Sequence, residues 1–391
     1  MNNVFLIQTL SDLFFLYQRT VARVRDFSVQ SLQVLEEIYL GFWKKQYRLI
    51  LAFQHPSTVE PALWPAALAH KLRLFLKKHK KFLLPYAHLV YDHRIPFWAG
   101  DYLQWLLPAT GALPIRRGLP DKEGLNRIRQ KLLNGPWPVM MAPEGGRTWR
   151  QDRWADLEDG LGLLALWTYQ DLKKKNSPMD VRILPLRSFF HWPTHTRGLW
   201  FKLLQNWEEN LGLSHEGSAQ ERLQKIFKIL GQKLGYHHEA SNFDAWRKGI
   251  AAWILAKAGG NPSQPFLKEL RYREGLLYLP YRKRLPDQIK TLTNLLGAGE
   301  LIWFLDYPWQ ENFCENLDQA WELMESLKSF AELLNFHHLV PVYPVILRDA
   351  ELVTGQYFDL SQAPELDNKA KTLEWIRLKI LHDGRPCSEN S

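Results

Sequence analysis

Short apolar runs alternate with stretches of helical periodicity over residues 46–190, and this alternation limits the possible folds more than any other feature of the chain. Strands are predicted at Tyr47–Phe53, 87–91, 112–116, 138–142 and 181–186. Strands separated by helices predict an α/β domain with a largely parallel sheet flanked by helices, because parallel strands need long crossover connections.

Beyond about residue 195 the pattern becomes mostly helical. Ser218 and Glu221 have capping-box spacing in front of apolar residues that recur at helical intervals. Residues 259–265, rich in glycine and proline, are the best linker candidate. Residues 339–347 have the composition of a strand, although two prolines weaken that interpretation.

These patterns divide the chain into three regions. They are an N-terminal helical segment over 1–45, which is a candidate for contact with a membrane, an α/β catalytic domain over 46–195, and a mostly helical C-terminal region over 196–391. The last region either forms its own unit or packs on the α/β domain.

Composition excludes several classes of protein. A hydrophobic content of 46% argues against a disordered chain. The two cysteines, Cys314 and Cys387, are too few for a disulfide scaffold or a cysteine-based zinc cluster, and they favour a reducing compartment. His191 and His195 are four residues apart, but Pro193 between them breaks the helical geometry of a metal-binding pair. We therefore expect no metal.

Charge and tryptophan content point towards a membrane surface. The formal net charge is +9 and there are 17 tryptophans, whose rings suit membrane interfaces. A basic run at residues 70–81 and an apolar stretch at 4–16 are the candidate contacts with anionic lipid. No apolar run is long enough to span a membrane. Since the N-terminus lacks the pattern of a signal peptide, we expect a cytoplasmic, peripheral membrane protein. Basic charge also suits nucleic acid, but no such binding module is visible, so no nucleic-acid partner is predicted.

Polar groups follow the predicted strands where ligands bind to parallel sheets, beyond the carboxyl ends. His55 follows the first strand, Arg116 and Arg117 end the third, and residues 143–147 follow the fourth. We expect these groups to meet along one edge. Glu60 is five positions after His55, so a helix beginning near residue 58 lets its carboxylate reach the imidazole. A histidine–carboxylate pair is what a general base for a hydroxyl requires.

Four blocks of this chain resemble the phospholipid/glycerol acyltransferase family, in order and in spacing. His55-x4-Glu60 is similar to the family's H-x4-D block, and residues 142–148 (APEGGRT) are similar to its F-P-E-G-T-R-S block. These are the first and third blocks along the chain. Two weaker blocks, the second at residues 111–118 and the fourth at 183–186, resemble G-x4-R and an apolar strand with a proline.

The resemblance implies transfer of a fatty acyl group from an acyl thioester to a hydroxyl of a glycerolipid or lysophospholipid, without a covalent enzyme intermediate. It implies that His55 is the general base and Glu60 its partner, and that Arg116 or Arg117 binds an acceptor phosphate. Residues of the third block, Glu144, Gly145, Gly146 and Arg147, would form the acceptor site. The thioester carrier is coenzyme A or acyl carrier protein, and no other cofactor is implied.

Two departures from the family pattern leave alternatives open. Glu60 replaces the usual aspartate and Gly146 the usual threonine. A lipid or thioester hydrolase using the same histidine, or a non-catalytic lipid-binding relative, therefore remains an alternative. Asp92-His93, after the second strand, offers a rival base.

Overall fold

A computed structural model describes residues 4–30, 32–76, 84–280, 285–306 and 316–383. The strands are β1 (Val24–Val29), β2 (Tyr47–Phe53), β3 (His88–Asp92), β4 (Leu113–Ile115), β5 (Val139–Met141), β6 (Asp180–His191), β7 (Arg348–Thr354) and β8 (Phe358–Asp359). The helices are α1 (Val4–Asp12), α2 (Phe14–Thr20), α3 (Leu32–Trp43), α4 (Glu60–Ala66), α5 (Arg73–Leu76), α6 (Ile95–Ala99), α7 (Leu103–Ala109), α8 (Lys122–Asn134), α9 (Gly160–Lys174), α10 (Arg197–Leu211), α11 (Ala219–Leu234), α12 (Phe243–Lys257), α13 (Phe266–Tyr278), α14 (Asp287–Phe304), α15 (Leu317–Leu333) and α16 (Lys369–Asp383).

The strands form one sheet in the order β1-β7-β6-β2-β5-β3-β4, with β8 paired to β6. β2 runs parallel to β5 and β6, and β3 runs parallel to β4 and β5, whereas β8 is antiparallel to β6. The predicted α/β class, with a mostly parallel sheet flanked by helices and a helical C-terminal region, is confirmed.

Alternation along the central strands divides their side chains between the two faces of the sheet. Ile50 and Ala52 of β2 belong to an apolar core that also takes residues from β5, β6 and the helices α8, α9 and α16. On α4 the indole of Trp64 is buried and donates a hydrogen bond to Ser188 of β6 over 3.0 Å. The sheet is therefore buried by helices, as parallel sheets generally are.

The chain forms two compact units. The first contains Met1–Arg116, Pro120–Phe190 and Asp349–Ser391, and the second contains Arg117–Leu119 and His191–Arg348. The region that the sequence predicts to be one C-terminal extension from residue 196 is thus divided. Helices α10 to α15 belong to the second unit, whereas β8, α16 and nearly all of β7 belong to the first.

Several local predictions have clear outcomes. The capping box of Ser218 and Glu221 is confirmed at the start of α11. The linker predicted at 259–265 is wrong, because these residues connect α12 to α13 inside the second unit. The strand predicted at 339–347 is wrong as well, since the next strand begins only at residue 348, after both prolines. The N-terminal segment is not wholly helical, because it contains β1.

Among the described residues, no helix has both the length and the apolar character that crossing a membrane requires.

Candidate functional site

His55 and Glu60 are in contact, as their spacing predicts. His55 follows β2, and α4 begins at Glu60, so the intervening turn brings the carboxylate back to the imidazole. The distance from His55 Nδ1 to Glu60 Oε2 is 3.1 Å. The Glu60 side chain is completely buried, whereas that of His55 is 18% exposed. The extra methylene of glutamate, compared with the family's aspartate, does not prevent this contact.

Ser57 also donates hydrogen bonds to the Glu60 carboxylate. Its hydroxyl donates to Glu60 Oε1 over 2.7 Å, and its main-chain N–H is 3.1 Å from each carboxylate oxygen. A carboxylate surrounded by donors acts as a fixed acceptor, so it orients His55 through Nδ1–H. The Nε2 atom of the neutral ring then carries the lone pair that can accept a proton.

Glu144 has a structural position that the sequence does not reveal. Its side chain is fully buried, Oε2 accepts from the main-chain N–H of His55 over 2.8 Å, and Oε1 accepts from that of Ala155 over 2.8 Å. The resemblance in sequence implies that Glu144 belongs to the acceptor site. The structure places its carboxylate next to the main chain of His55, where it fixes the position of that residue.

The main-chain conformation at residue 145 favours glycine. Its φ angle is +72°, and a Cβ atom there would overlap the carboxyl group of Glu158. Only glycine adopts such an angle at no steric cost. Gly146, the second departure from the family, lies between Gly145 and Arg147 in the same loop.

Several hydrogen bonds connect the loop after β5 to the end of β2. The Thr148 N–H donates to the His55 carbonyl over 2.9 Å, and the buried side chain of Gln54 donates to the carbonyl of Arg153 over 2.6 Å. Arg187 of β6 donates to Gln54 Oε1 over 3.2 Å and to the carbonyl of residue 151 over 2.7 Å. The loop over 142–153 and His55 therefore form one connected site.

Arg116 of the second block is separated from this site along the sheet. The three strands β5, β3 and β4 follow β2 in order, so Arg116, after β4, is about 14 Å from His55 at a strand spacing of roughly 4.8 Å. Arg116 is exposed and makes no side-chain ion pair with any residue that the structure describes, while its N–H donates to Asp121 over 2.9 Å. The carboxyl ends of β2, β5 and β4 lie along one edge of the sheet, as the sequence predicts, but contacts between these groups join only His55 and the loop after β5.

Arg117 belongs to the second unit. Its guanidinium forms an ion pair with Glu300, which is also 2.9 Å from Arg271. Burial alone would raise the pKa of Glu300, but the charges of Arg117 and Arg271 hold that pKa below its ordinary value. Arg117 is therefore already paired with a carboxylate of the protein, and its binding of an acceptor phosphate stays a prediction.

His93, the rival base, also has a carboxylate beside it. Its Nδ1 is 3.3 Å from Asp92 Oδ1, but both oxygens of Asp92 accept from Arg94. Asp92 is thus shared with a guanidinium, whereas Glu60 is enclosed by Ser57 and His55. The environment of His55 suits a general base better.

Sequence reasoning missed Ser57, Gln54, Thr148 and Arg187, which fasten the site. The available signal was the polar character of Gln54, directly after the apolar β2, and of Arg187, within a buried part of β6. Within the described ranges, no group of three or more histidine, cysteine, aspartate or glutamate side chains is arranged to hold a metal. Comparison with protein-family models, with curated proteins and with solved structures gave no match.

Proposed function

We propose that this protein is an acyltransferase that moves a fatty acyl group from an acyl thioester to a hydroxyl of a glycerolipid or lysophospholipid, in phospholipid biosynthesis. The observation that carries the proposal is the contact of 3.1 Å between the partly exposed His55 and the buried Glu60. The resemblance of the four sequence blocks supports the same reaction class.

The chemistry follows from the orientation of the imidazole. His55 Nε2 accepts the proton of the acceptor hydroxyl while its oxygen attacks the thioester carbonyl carbon, and Glu60 stabilises the imidazolium that forms. The tetrahedral intermediate then collapses, the carbon–sulfur bond breaks, and the thiolate takes the proton back from Nε2. The products are the ester and the free thiol, and the enzyme returns to its starting state.

A membrane surface is the proposed environment of this reaction. Of the basic run at 70–81, the described members Lys71 and Arg73 already contact protein groups: Lys71 lies 4.1 Å from the centre of the Phe27 ring, and Arg73 is 2.7 Å from Asp12. Lys77, Lys78, Lys80 and Lys81 lie outside the described residues. The exposed aromatic side chains of Trp98, Tyr102 and Trp105 on and beside α6 and α7 support contact with the bilayer interface.

Mass spectrometry of the products tests the proposal. The purified protein is incubated with acyl-coenzyme A or acyl carrier protein thioesters and a panel of glycerolipid acceptors. We expect an acylated lipid from the parent protein and none from His55→Ala, assayed at a temperature at which circular dichroism shows that the variant is folded. Release of free fatty acid without acylated lipid would indicate the hydrolase. Binding of lipid without any turnover would indicate the non-catalytic relative, and loss of activity in His93→Ala alone would move the base to His93.

A further inference from the structure

Trp149, in the loop beside His55, has a main-chain conformation that bulky residues avoid. Its φ angle is +57°, in the left-handed region. Non-glycine residues are uncommon there, and a large side chain is an outlier. Such a conformation costs free energy, so it persists only where surrounding contacts fix it.

Hydrogen bonds on both sides of Trp149 supply those contacts. On one side the Thr148 N–H donates to the His55 carbonyl over 2.9 Å. On the other the Arg150 carbonyl accepts from the Thr148 hydroxyl over 3.3 Å and from Gln54 over 3.4 Å. The main-chain conformation at Trp149 is therefore held by hydrogen bonds to the same segment that carries His55.

The indole of Trp149 lies against the guanidinium of Arg147. The Arg147 Cζ atom is 4.8 Å from the centre of the ring, which is within the range of a cation–π contact. Since the N–H of Thr148 donates to His55, the Cα atom of Arg147 is within roughly 6 Å of the His55 carbonyl oxygen, given standard main-chain bond lengths. The main chain that carries the stacked guanidinium thus lies beside the main chain of His55.

The two arginines of the second block are less suited to bind an acceptor phosphate. Arg116 is three strands away from His55, and Arg117 is paired with Glu300. In a glycerol phosphate only a few bonds separate the reacting hydroxyl from the phosphate. Arg147 lies in the loop that is hydrogen-bonded to the main chain of His55, which makes it the candidate for that phosphate when the hydroxyl is at Nε2.

We propose that Trp149 is a positioning residue that holds Arg147 for the phosphate of the acceptor. The inference rests on the proposed function and deepens it, because it selects phosphate-bearing acceptors over those without a phosphate. A planar guanidinium with a restricted side chain makes bidentate, charge-assisted bonds to phosphate at a smaller loss of entropy than a mobile one.

Two substitutions separate the ring from the backbone. Trp149→Asn removes the ring but tolerates the positive φ angle, whereas Trp149→Phe keeps a smaller ring. Steady-state kinetics are measured with 1-acylglycerol 3-phosphate and with monoacylglycerol as the matched acceptor without phosphate. We expect Trp149→Asn to raise the KM for the phosphate-bearing acceptor by about tenfold, the size of a partly buried cation–π contact, and Trp149→Phe to raise it less. The thioester KM, the kcat and the KM for monoacylglycerol should not change.

A double-mutant cycle tests whether Trp149 acts through Arg147. In an Arg147→Ala background, Trp149→Asn should not raise the acceptor KM further. Trp167→Phe is the control, because Trp167 makes a similar contact with Arg129, 5.9 Å from ring centre to Cζ, on α9 and α8. It should leave the kinetics unchanged.

The outcomes are distinguishable from failure of the proposed function. A parent protein that acylates no acceptor refutes that function and this inference with it. A parent that is active, with an unchanged acceptor KM in Trp149→Asn or with equal rises for both acceptors, overturns the inference alone. If Trp149→Asn does not fold, Arg147→Lys keeps the charge but loses the planar face, and an unchanged acceptor KM in that variant overturns the inference as well.

Discussion

The main-chain N–H of His55 donates to Glu144 Oε2 over 2.8 Å, so the residue that follows β2 is fixed by a residue that follows β5. These strands are neighbours and run parallel. The proposed base is therefore positioned at its backbone by one buried glutamate and at its ring by another, Glu60. Each of the two contacts can be tested separately.

Replacing Glu144 by glutamine should lower both stability and turnover. The amide has one acceptor oxygen, so one of the N–H groups of His55 and Ala155 would face an NH2 group. Leaving a buried donor without an acceptor costs about 1–3 kcal/mol. Urea denaturation should show that loss, and kcat should fall by about tenfold for a displacement of the base worth about 1.4 kcal/mol. Parent-like stability together with parent-like kcat would contradict the role of Glu144.

Glu60→Gln should impair catalysis far more than binding. The amide can still accept a hydrogen bond, but it cannot stabilise the imidazolium, and the corresponding change in a serine protease triad costs about 10⁴ in kcat. We expect a kcat loss of at least about 10², with the acceptor KM almost unchanged. Glu60→Asp should keep partial activity.

Ser57→Ala is the matched control for Glu60. It removes the hydroxyl bond of 2.7 Å to Oε1 but leaves the contact between Glu60 and His55. Its kcat should remain well above that of Glu60→Gln. Full activity of Glu60→Gln would show that the pair of His55 and Glu60 is not needed for catalysis. It would favour His93 as the base.

Arg116 and Arg117 should respond differently to alanine. Arg116→Ala should raise the acceptor KM only a few-fold, and less at high salt, because an exposed charge at that distance is screened within about 8 Å at physiological ionic strength. Arg117→Ala should instead lower the melting temperature, since it leaves Glu300 with Arg271 as its remaining close cation. Kinetics as a function of salt and thermal unfolding of both variants check this. Equal effects of the two variants on KM would show that the second block acts as one phosphate site.

The second unit should lose stability in acid through Glu300. Its pKa is below the ordinary value, so the unfolded chain binds the proton first as the pH falls. The stabilisation is therefore complete above the ordinary glutamate pKa of about 4.3, and it is lost as the pH falls through the lowered value. The difference in melting temperature between the parent and Glu300→Gln should be largest near neutral pH and should shrink in strong acid. A difference that is independent of pH would show that the carboxylate charge is not what stabilises this unit.

Membrane binding should depend on the aromatic side chains of α6 and α7. Trp98 and Trp105 are 64% and 61% exposed, and the protein should float with anionic liposomes in a salt-dependent manner. Replacing both tryptophans by serine should weaken flotation, whereas the same change at the less exposed Trp167, on α9, should not. Flotation that is indifferent to lipid charge and salt would rule out the electrostatic part of the proposal.

The sequence predicts the parts of the fold that depend on local periodicity. β2 and β6 are apolar runs, and α8 carries its own N-cap, Asp121, which accepts from Gly124 over 2.9 Å. β1 and β7 are adjacent in the sheet although more than three hundred residues separate them, and no local pattern indicates that pairing.

The same distinction applies to the candidate site. The contact of His55 with Glu60 follows from a spacing of five residues. The contacts of Glu144, Gln54 and Arg187 depend on neighbouring strands and on loop conformation, which one sequence does not contain. The angle of Trp149 is of the same kind, because tertiary contacts impose it against the residue's own preference.

The order of the strands in the sheet has a consequence for synthesis of the chain. β6 lies between β2 on one side and β7 with β8 on the other, but those last strands are made more than 150 residues later than β6. Until then the long apolar β6 has an open edge, and open edges of this kind recruit other chains. Ribosomes add about 5–20 residues per second, so a nascent chain would carry that edge for many seconds. A fragment that stops at residue 195 would carry it permanently, and we expect such a fragment to aggregate rather than fold.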